Sequence, residues 1–227
     1  VGCSNDDETK LSLSTNNISI YSEDTEEITA NEKVTWNSDD EFVASVSAKG
    51  VVTGEHVGKT KVTATSSDGE SQCQVEVKAK YNTYADPVFS FGANKSTIKS
   101  KETRTLDNET STGLLFKPEK STIGGVAYLF ENEKMTGIGV NVKTASAMEA
   151  TKFLIERYLV VAAGNGDIVG LMLNNLPNKA DMSIAMGVKT GYVLVTYMPY
   201  DKKATSRSNA EKDRIAEELE KIFESAE

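Results

Sequence analysis

Histidine, cysteine, proline and tryptophan are scarce in this chain: one, two, four and one in 227 residues. Each scarcity excludes something. The single histidine, His56, lies between Gly54 and Gly58, so residues 88–227 hold no Ser-His-Asp or Cys-His arrangement of their own. Zinc sites draw on several histidines and cysteines, and too few are present; no metal or cofactor is expected. Four prolines and no long polar tract leave little room for extended disorder. No apolar run approaches the ~18 residues that a membrane-crossing helix needs. Positive charge is short too. Residues 1–80 carry 15 acidic and 7 basic side chains, net −8, and residues 81–227 carry 19 and 18, net −1. A duplex-binding protein needs a basic face against the phosphates. Nothing here predicts one, so nucleic acid is not an expected partner.

What is present is a strongly patterned first third. Leu11, Leu13, Ile18 and Ile20 lead into Val34-Thr35-Trp36, a polar turn over Asn37 to Glu41, and Phe42 to Val46. Lys49-Gly50 makes a tight turn, since glycine tolerates positive φ. Val51-Val52-Thr53-Gly54 follows, then a bend at Gly58, the alternating Lys61 to Thr65, and a second turn at Ser67-Asp68-Gly69. The last strand carries Cys73, Val75 and Val77 on one face, so Cys73 is expected as a small apolar core residue. Short strands with turns about ten residues apart fit a β-sandwich.

The V-T-W-N-S-D-D and K-G-V-V-T-G runs resemble the bacterial immunoglobulin-like domain of group 2, over Lys10 to Lys80. That resemblance implies a β-sandwich and a place on a cell surface or in an adhesive protein. Trp36 is expected as its core aromatic and His56 as a turn residue. The acidic stretch Glu23 to Glu32 is shorter than the strand usual in the family.

Val1-Gly2-Cys3-Ser4 resembles the end of a lipoprotein signal peptide, where a small residue precedes the cysteine that is lipidated. Ser4-Asn5-Asp6-Asp7-Glu8 then forms an acidic tether. The resemblance implies a lipid anchor at Cys3, a membrane as partner, and a cell-envelope protein on the outer membrane, surface-exposed or periplasmic. Residues 1–9 are read as the tether, 10–80 as the sandwich, 81–87 as a linker ending at Asp86-Pro87, and 88–227 as a second domain.

The second domain has an α+β pattern. Asn94 caps a short helix. Thr112 to Lys117, Val126 to Phe130 and Ile138 to Val142 are expected strands. Ser146-Ala147-Met148-Glu149 is a capping-box pattern that opens a helix with Met148, Ile155, Tyr158, Leu159 and Ala162 along one stripe, stopped at Gly164. Ile168 to Leu173, Met182 to Val188 and Tyr192 to Met198 follow as strands. Ser208-Asn209-Ala210-Glu211 starts a terminal helix with Ile215, Leu219, Ile222 and Phe223 on one face. Short turns imply antiparallel pairing. The expected fold is therefore multidomain: an all-β immunoglobulin-like sandwich, then an antiparallel sheet with helices on one face.

Chemistry is sparse. Asp107, Glu109, Glu131, Glu133, Glu156, Asp167 and Asp181 are candidate carboxylates for glycan hydrolysis, but their placement at turns and helix faces fits solvation better. Gly164-Asn165-Gly166-Asp167 lacks the lysine and hydroxyl of a phosphate loop and the alternating acids of a calcium loop. Asp39-Asp40-Glu41 is expected as a solvated turn. Tyr81, Tyr84, Phe89 and Phe91 cluster at the linker and are expected to pack between the domains. No catalytic or metal residue is assigned. The expectation is a non-catalytic envelope lipoprotein. Its first domain is a membrane-proximal spacer, and its second binds a glycan or protein ligand through residues the sequence leaves unassigned. The alternatives are a carboxylate-dependent glycan hydrolase and an adhesin working through the first domain.

Overall fold

A computed structural model describes residues 10–163, 168–200 and 209–225. Contacts divide the chain into two compact units, Val1–Lys80 and Tyr81–Glu227.

The first unit is a two-sheet sandwich of seven strands. Strands β1 (Asn17–Tyr21), β7 (Gly69–Lys78), β6 (Gly58–Ser66) and β3 (Thr35–Ser38) form one sheet in that order, and β2 (Thr25–Glu27), β5 (Val51–Gly54) and β4 (Ala44–Val46) form the other. β1 runs parallel to β7, and the remaining pairs are antiparallel. Alternation along the strands delivers Ile18, Ile20, Val52, Val62, Ala64, Cys73, Val75 and Val77 to one core, with Trp36 packed against it. Cys73 is a fully buried free thiol, and burial pushes its pKa up. His56 stacks flat on Phe42 at 3.9 Å, with Nδ1 2.7 Å from the Phe42 carbonyl. Only β2 regularises the acidic stretch after Tyr21.

The two glycines of the K-G-V-V-T-G run have a steric reason. Gly50 sits at φ 81°, and a Cβ there would lie 2.2 Å from the Ile28 carbonyl oxygen and 3.0 Å from the Trp36 ring. At Gly54 a Cβ would stand 2.6 Å from the Tyr21 carbonyl oxygen. The motif marks where the chain passes against neighbouring backbone.

The second unit is built on one eight-stranded antiparallel sheet. Helix α1 (Lys95–Lys101) precedes β8 (Leu106–Glu109), β9 (Gly113–Phe116), β10 (Ile123–Glu131) and β11 (Lys134–Lys143). Helix α2 (Ala147–Ile155) precedes β12 (Leu159–Ala162), β13 (Ile168–Leu173), β14 (Met182–Lys189) and β15 (Tyr192–Pro199), and α3 (Asn209–Glu224) closes the chain. The strand order is β12-β13-β14-β15-β11-β10-β9-β8. Each half is thus one helix and a four-strand meander, and the halves meet through their last strands, β11 and β15, paired Ile138 with Tyr197 to Lys143 with Tyr192.

Three expectations are corrected. The helices do not all lie on one face. Ile98 of α1 and Ala150, Phe153 and Leu154 of α2 join Tyr128, Ile138, Val195 and Tyr197 in one core. Ile215, Leu219 and Ile222 of α3 pack on Leu115, Ala127, Leu129 and Met198 across the sheet. The reason lies in the strands: Leu114-Leu115-Phe116 and Val126 to Phe130 are buried at every position, so both faces need a cover. Gly137 leaves room for α3, since a Cβ there would meet Ile215 at 2.8 Å.

Second, the helix after Ser146 is shorter than its stripe implied. It ends at Ile155, and Leu159 to Ala162 is strand β12 at the sheet edge. Ser146 makes no side-chain cap, and the Glu149 carboxylate instead accepts a hydrogen bond from Thr83 Oγ1 at 3.2 Å. Leu159-Val160-Val161 suits a strand better than a helix because β-branched side chains lose rotamers in a helix. Met148 and Ile155 are exposed, not core. Third, Tyr81, Tyr84 and Phe91 pack within the second unit's own core. The segment Tyr81–Pro87, expected as a linker, has no helix or strand, yet Thr83 and Tyr84 are buried. The Tyr84 and Tyr197 hydroxyls meet at 2.7 Å, and burial raises both pKa values.

That segment is held by a buried ionic cluster. Arg104 Nη1 donates to both Glu102 oxygens at 2.9 and 3.0 Å, its Nε donates to Glu119 Oε2 at 2.5 Å, and its Nη2 donates to the Ala85 carbonyl. The Ala85 amide donates to Glu119 Oε1 at 2.7 Å, and the Tyr128 hydroxyl donates to Glu102. The Arg104 and Glu102 side chains are 3% and 2% exposed.

Candidate functional site

The first half of the sheet, with α1, brings three pieces of chain together at one end. The turn between β10 and β11 supplies Glu131, Asn132 and Glu133. The turn between β8 and β9 supplies Ser111 and Thr112, and the start of α1 supplies Asn94, Lys95 and Ser96. With Phe130 beneath, they line a groove of about 610 Å³. Backbone bonds fix the pieces: Phe130 N to Thr112 O at 2.8 Å, Met135 N to Ala93 O at 2.8 Å and Gly92 N to Met135 O at 2.9 Å. Asn94 Oδ1 caps the amide of Thr97 at 2.9 Å, as expected.

The charges in the groove divide into occupied and open. Lys95 Nζ donates to the Thr110 carbonyl and, at 3.1 Å, to the Ser111 carbonyl, and sits 5.7 Å from the centre of the Phe130 ring. Glu131 is paired with Arg214. The side chains of Ser96, Ser111, Thr112, Asn132 and Glu133 are exposed and have no hydrogen-bond partner among the described residues. Asn132 and Glu133 both have positive φ, 49° and 65°. Two consecutive left-handed residues are what a tight right-twisted hairpin turn demands, and glycine is the residue usually found second. A glutamate there holds strain of about 1–2 kcal/mol, and its carboxylate stands at the rim of the groove.

The other candidate carboxylates are spread over the unit. Asp107 pairs with Lys117 at 3.5 Å, Glu109 with Lys99 at 2.9 Å, and Asp181 accepts from Asn174 Nδ2 at 2.6 Å. Glu156 is buried, accepts from the Tyr81 amide at 3.1 Å and pairs with Arg157. Only Glu131 and Glu133 share the groove. Cys3, Gly164-Asn165-Gly166-Asp167 and Ser208 lie outside the described residues. Among the described residues no group of three or more His, Cys, Asp or Glu is placed to hold a metal. No described helix is long and apolar enough to cross a membrane.

A smaller cleft of about 320 Å³ runs along α3, between Lys212, Asp213, Ala216 and Glu217 and a floor that includes Ala185, Gly187 and Thr196. Its floor offers the Thr196 hydroxyl and Lys189, which is paired with Glu220 at 2.8 Å, so the groove, with more open polar groups, is the better candidate.

Residues 16–77 match the bacterial Ig-like domain (group 2). This covers the whole strand framework of the first unit, so the sandwich, its tryptophan and its glycine motif are those of an Ig-like module. No curated protein matches the chain. Among solved structures, a mutant intimin of EHEC O157:H7 is 15% identical, over 56% of this chain and 89% of that one, with a TM-score of 0.26. Domains 5–6 of the S-layer protein SbsC are 11% identical, over 86% and 85%, with a TM-score of 0.26. A SusE-like surface-located polysaccharide-binding protein from the Bacteroides thetaiotaomicron heparin utilisation locus is 11% identical, over 83% and 33%, with a TM-score of 0.22. Scores this low establish no shared fold for the chain as a whole.

Replacing Glu133 by glycine is expected to raise the stability of the second unit by up to about 1 kcal/mol, the relieved strain exceeding the added chain entropy. Urea titration followed by far-UV circular dichroism reads this directly. An unchanged or lowered midpoint would mean that the turn is not strained at this residue.

Proposed function

We propose that this chain is a non-catalytic cell-envelope lipoprotein. The Ig-like module is its membrane-proximal spacer, and the second unit binds a ligand at the cell surface through the groove at the β10–β11 turn. One observation carries the reading: five exposed hydrogen-bonding side chains without partners among the described residues converge on one concavity, and one of them is a carboxylate on a strained turn. Polar groups left open in a shaped site are how a protein orients a polar ligand, and strain retained at a turn points to function rather than folding. In the first unit the tryptophan, the buried cysteine and the motif glycines are accounted for by the packing of the sandwich, which supports a spacer role over adhesion.

Anchoring rests on Val1-Gly2-Cys3-Ser4 and the acidic run behind it. Multiple acyl chains at Cys3 would hold the protein on the outer membrane, since one chain binds only marginally. Expressed with its native leader, the protein is expected in the membrane fraction and Cys3→Ser in the soluble fraction. Equal partition of the two would remove the anchor from the proposal.

Binding is tested with the purified full chain against arrays of surface polysaccharides and of envelope proteins. Asn132→Ala and Glu133→Ala are expected to weaken capture of the ligand about 10-fold each, the loss of one hydrogen bond to a polar or charged group. Turnover of a glycan, lost on mutating one groove carboxylate, would replace binding by hydrolysis.

A further inference from the structure

Resting on that binding reading, we propose that the groove takes an uncharged or amino-bearing saccharide and rejects acidic ones, with Glu133 as the residue that discriminates. The ligand class follows from what the groove offers. Its only apolar side chain, Phe130, is 3% exposed, and the Lys95 ammonium stands near its ring. An apolar ligand would therefore bury almost nothing in return for desolvating hydroxyls, an amide and a carboxylate. What remains open are three hydroxyls, on Ser96, Ser111 and Thr112, the amide of Asn132, the Nδ2 of Asn94, whose Oδ1 serves as the cap, and one carboxylate, on Glu133. Hydroxyls and amides both donate and accept, and an ionised carboxylate only accepts. That set matches a molecule carrying many hydroxyls, each of which donates and accepts in turn.

The sign of charge decides between saccharides. Lys95 is the one cation lining the groove. Its Nζ is already bonded to two carbonyls and lies 3.8 Å from Glu109 Oε1. Arg214 is committed to Glu131. Among the residues lining the groove, with exposed Lys134 outside that lining, a sulfated or uronate-containing glycan would thus meet no open cation and would stand beside Glu133, whose carboxylate has no ion-pair partner among the described residues. Like charge brought together at an interface is a repulsive device that selects against the wrong ligand. A neutral glycan pays no such penalty, and an amino group on a sugar gains a partner.

The experiment compares neutral, amino-bearing and sulfated or uronate oligosaccharides of equal length, binding the full chain in isothermal titration at low and at 0.5 M salt. The neutral and amino-bearing sugars are expected to bind at least about 10-fold tighter than the acidic ones, and added salt is expected to narrow that gap. Glu133→Gln keeps the size and hydrogen-bonding reach of the side chain but removes its charge. It is expected to bring acidic sugars to within about 3-fold of neutral ones, whatever common loss both classes share from exchanging a charged acceptor for an amide. Acidic sugars binding as well as or better than neutral ones would overturn the inference and leave the binding reading standing, as would a Glu133→Gln protein with the wild-type ratio. Failure to bind any saccharide would overturn the inference and leave the binding reading to the envelope-protein array.

Discussion

Arg104→Ala is expected to destabilise the second unit by about 3–5 kcal/mol, the range for breaking a buried ion pair from one side. The guanidinium joins Glu102, Glu119 and the Ala85 carbonyl. Its removal leaves two carboxylates, one of them 2% exposed, with their counter-charge gone. The Ala85 carbonyl loses its donor at the same time. The measurement has a built-in control. The only tryptophan, Trp36, lies in the first unit, so its fluorescence follows the sandwich, whereas far-UV circular dichroism sees both units. The loss is expected in the dichroism transition and not in the fluorescence one. Replacing the cluster together, as Glu102→Gln, Arg104→Met and Glu119→Gln, is expected to recover part of the loss, because no unpaired charge then remains buried. A single-variant cost below about 1 kcal/mol would mean that the cluster is solvated and does not hold the segment.

The same cluster gives a pH dependence. Burial pushes the Glu119 carboxyl up, but the Arg104 hydrogen bond and the Ala85 amide outweigh it and hold the group below the ordinary carboxylate range. A carboxyl depressed by folding adds stability above its unfolded value, about 4.3 for glutamate, and loses it as the pH falls through the folded value. The gap between wild type and Arg104→Ala is therefore expected to narrow below about pH 4.3.

What was legible in the sequence was what local rules govern. Asn94 caps α1 through its own side chain, and the Ile215, Leu219 and Ile222 stripe is the buried face of α3. Cys73, Val75 and Val77 share a buried face because a strand alternates. The rules failed where tertiary structure overrode them. The Ser146 box does not close because Glu149 is taken by Thr83, and Val160-Val161 follows the sheet instead of extending α2. The second covered face was already present in Tyr192 to Met198, whose two alternating sets are both largely apolar; the terminal helix is what covers the other set. The groove was not legible. Its residues come from positions 94–96, 111–112 and 130–133 and meet through the pairing of β9 with β10 and of β10 with β11 and through the backbone bonds of Gly92 and Ala93 to Met135. Glu133 stood among seven carboxylates, and only its backbone angle and its open surroundings separate it from the rest.

Gly50→Ala is expected to cost the Ig-like module about 2–5 kcal/mol, combining left-handed strain with overpacking against atoms that cannot move aside. The new methyl would fall 2.2 Å from the Ile28 carbonyl oxygen, and that backbone is not free to retreat, because the Ile28 amide donates to the Gly50 carbonyl at 2.9 Å. It would also press on the Trp36 ring at 3.0 Å, so the fluorescence that reports the unfolding should shift in the native state as well. Gly69 separates the two contributions. It too has positive φ, 128°, but nothing stands within 4 Å of its absent Cβ. Gly69→Ala therefore carries backbone strain alone, about 1–2 kcal/mol. If the two variants melt together by Trp36 fluorescence, the close approach to Ile28 is not what requires a glycine at position 50. If Gly50→Ala alone loses the cooperative transition, the K-G-V-V-T-G motif is a packing motif, and its conformational freedom is secondary.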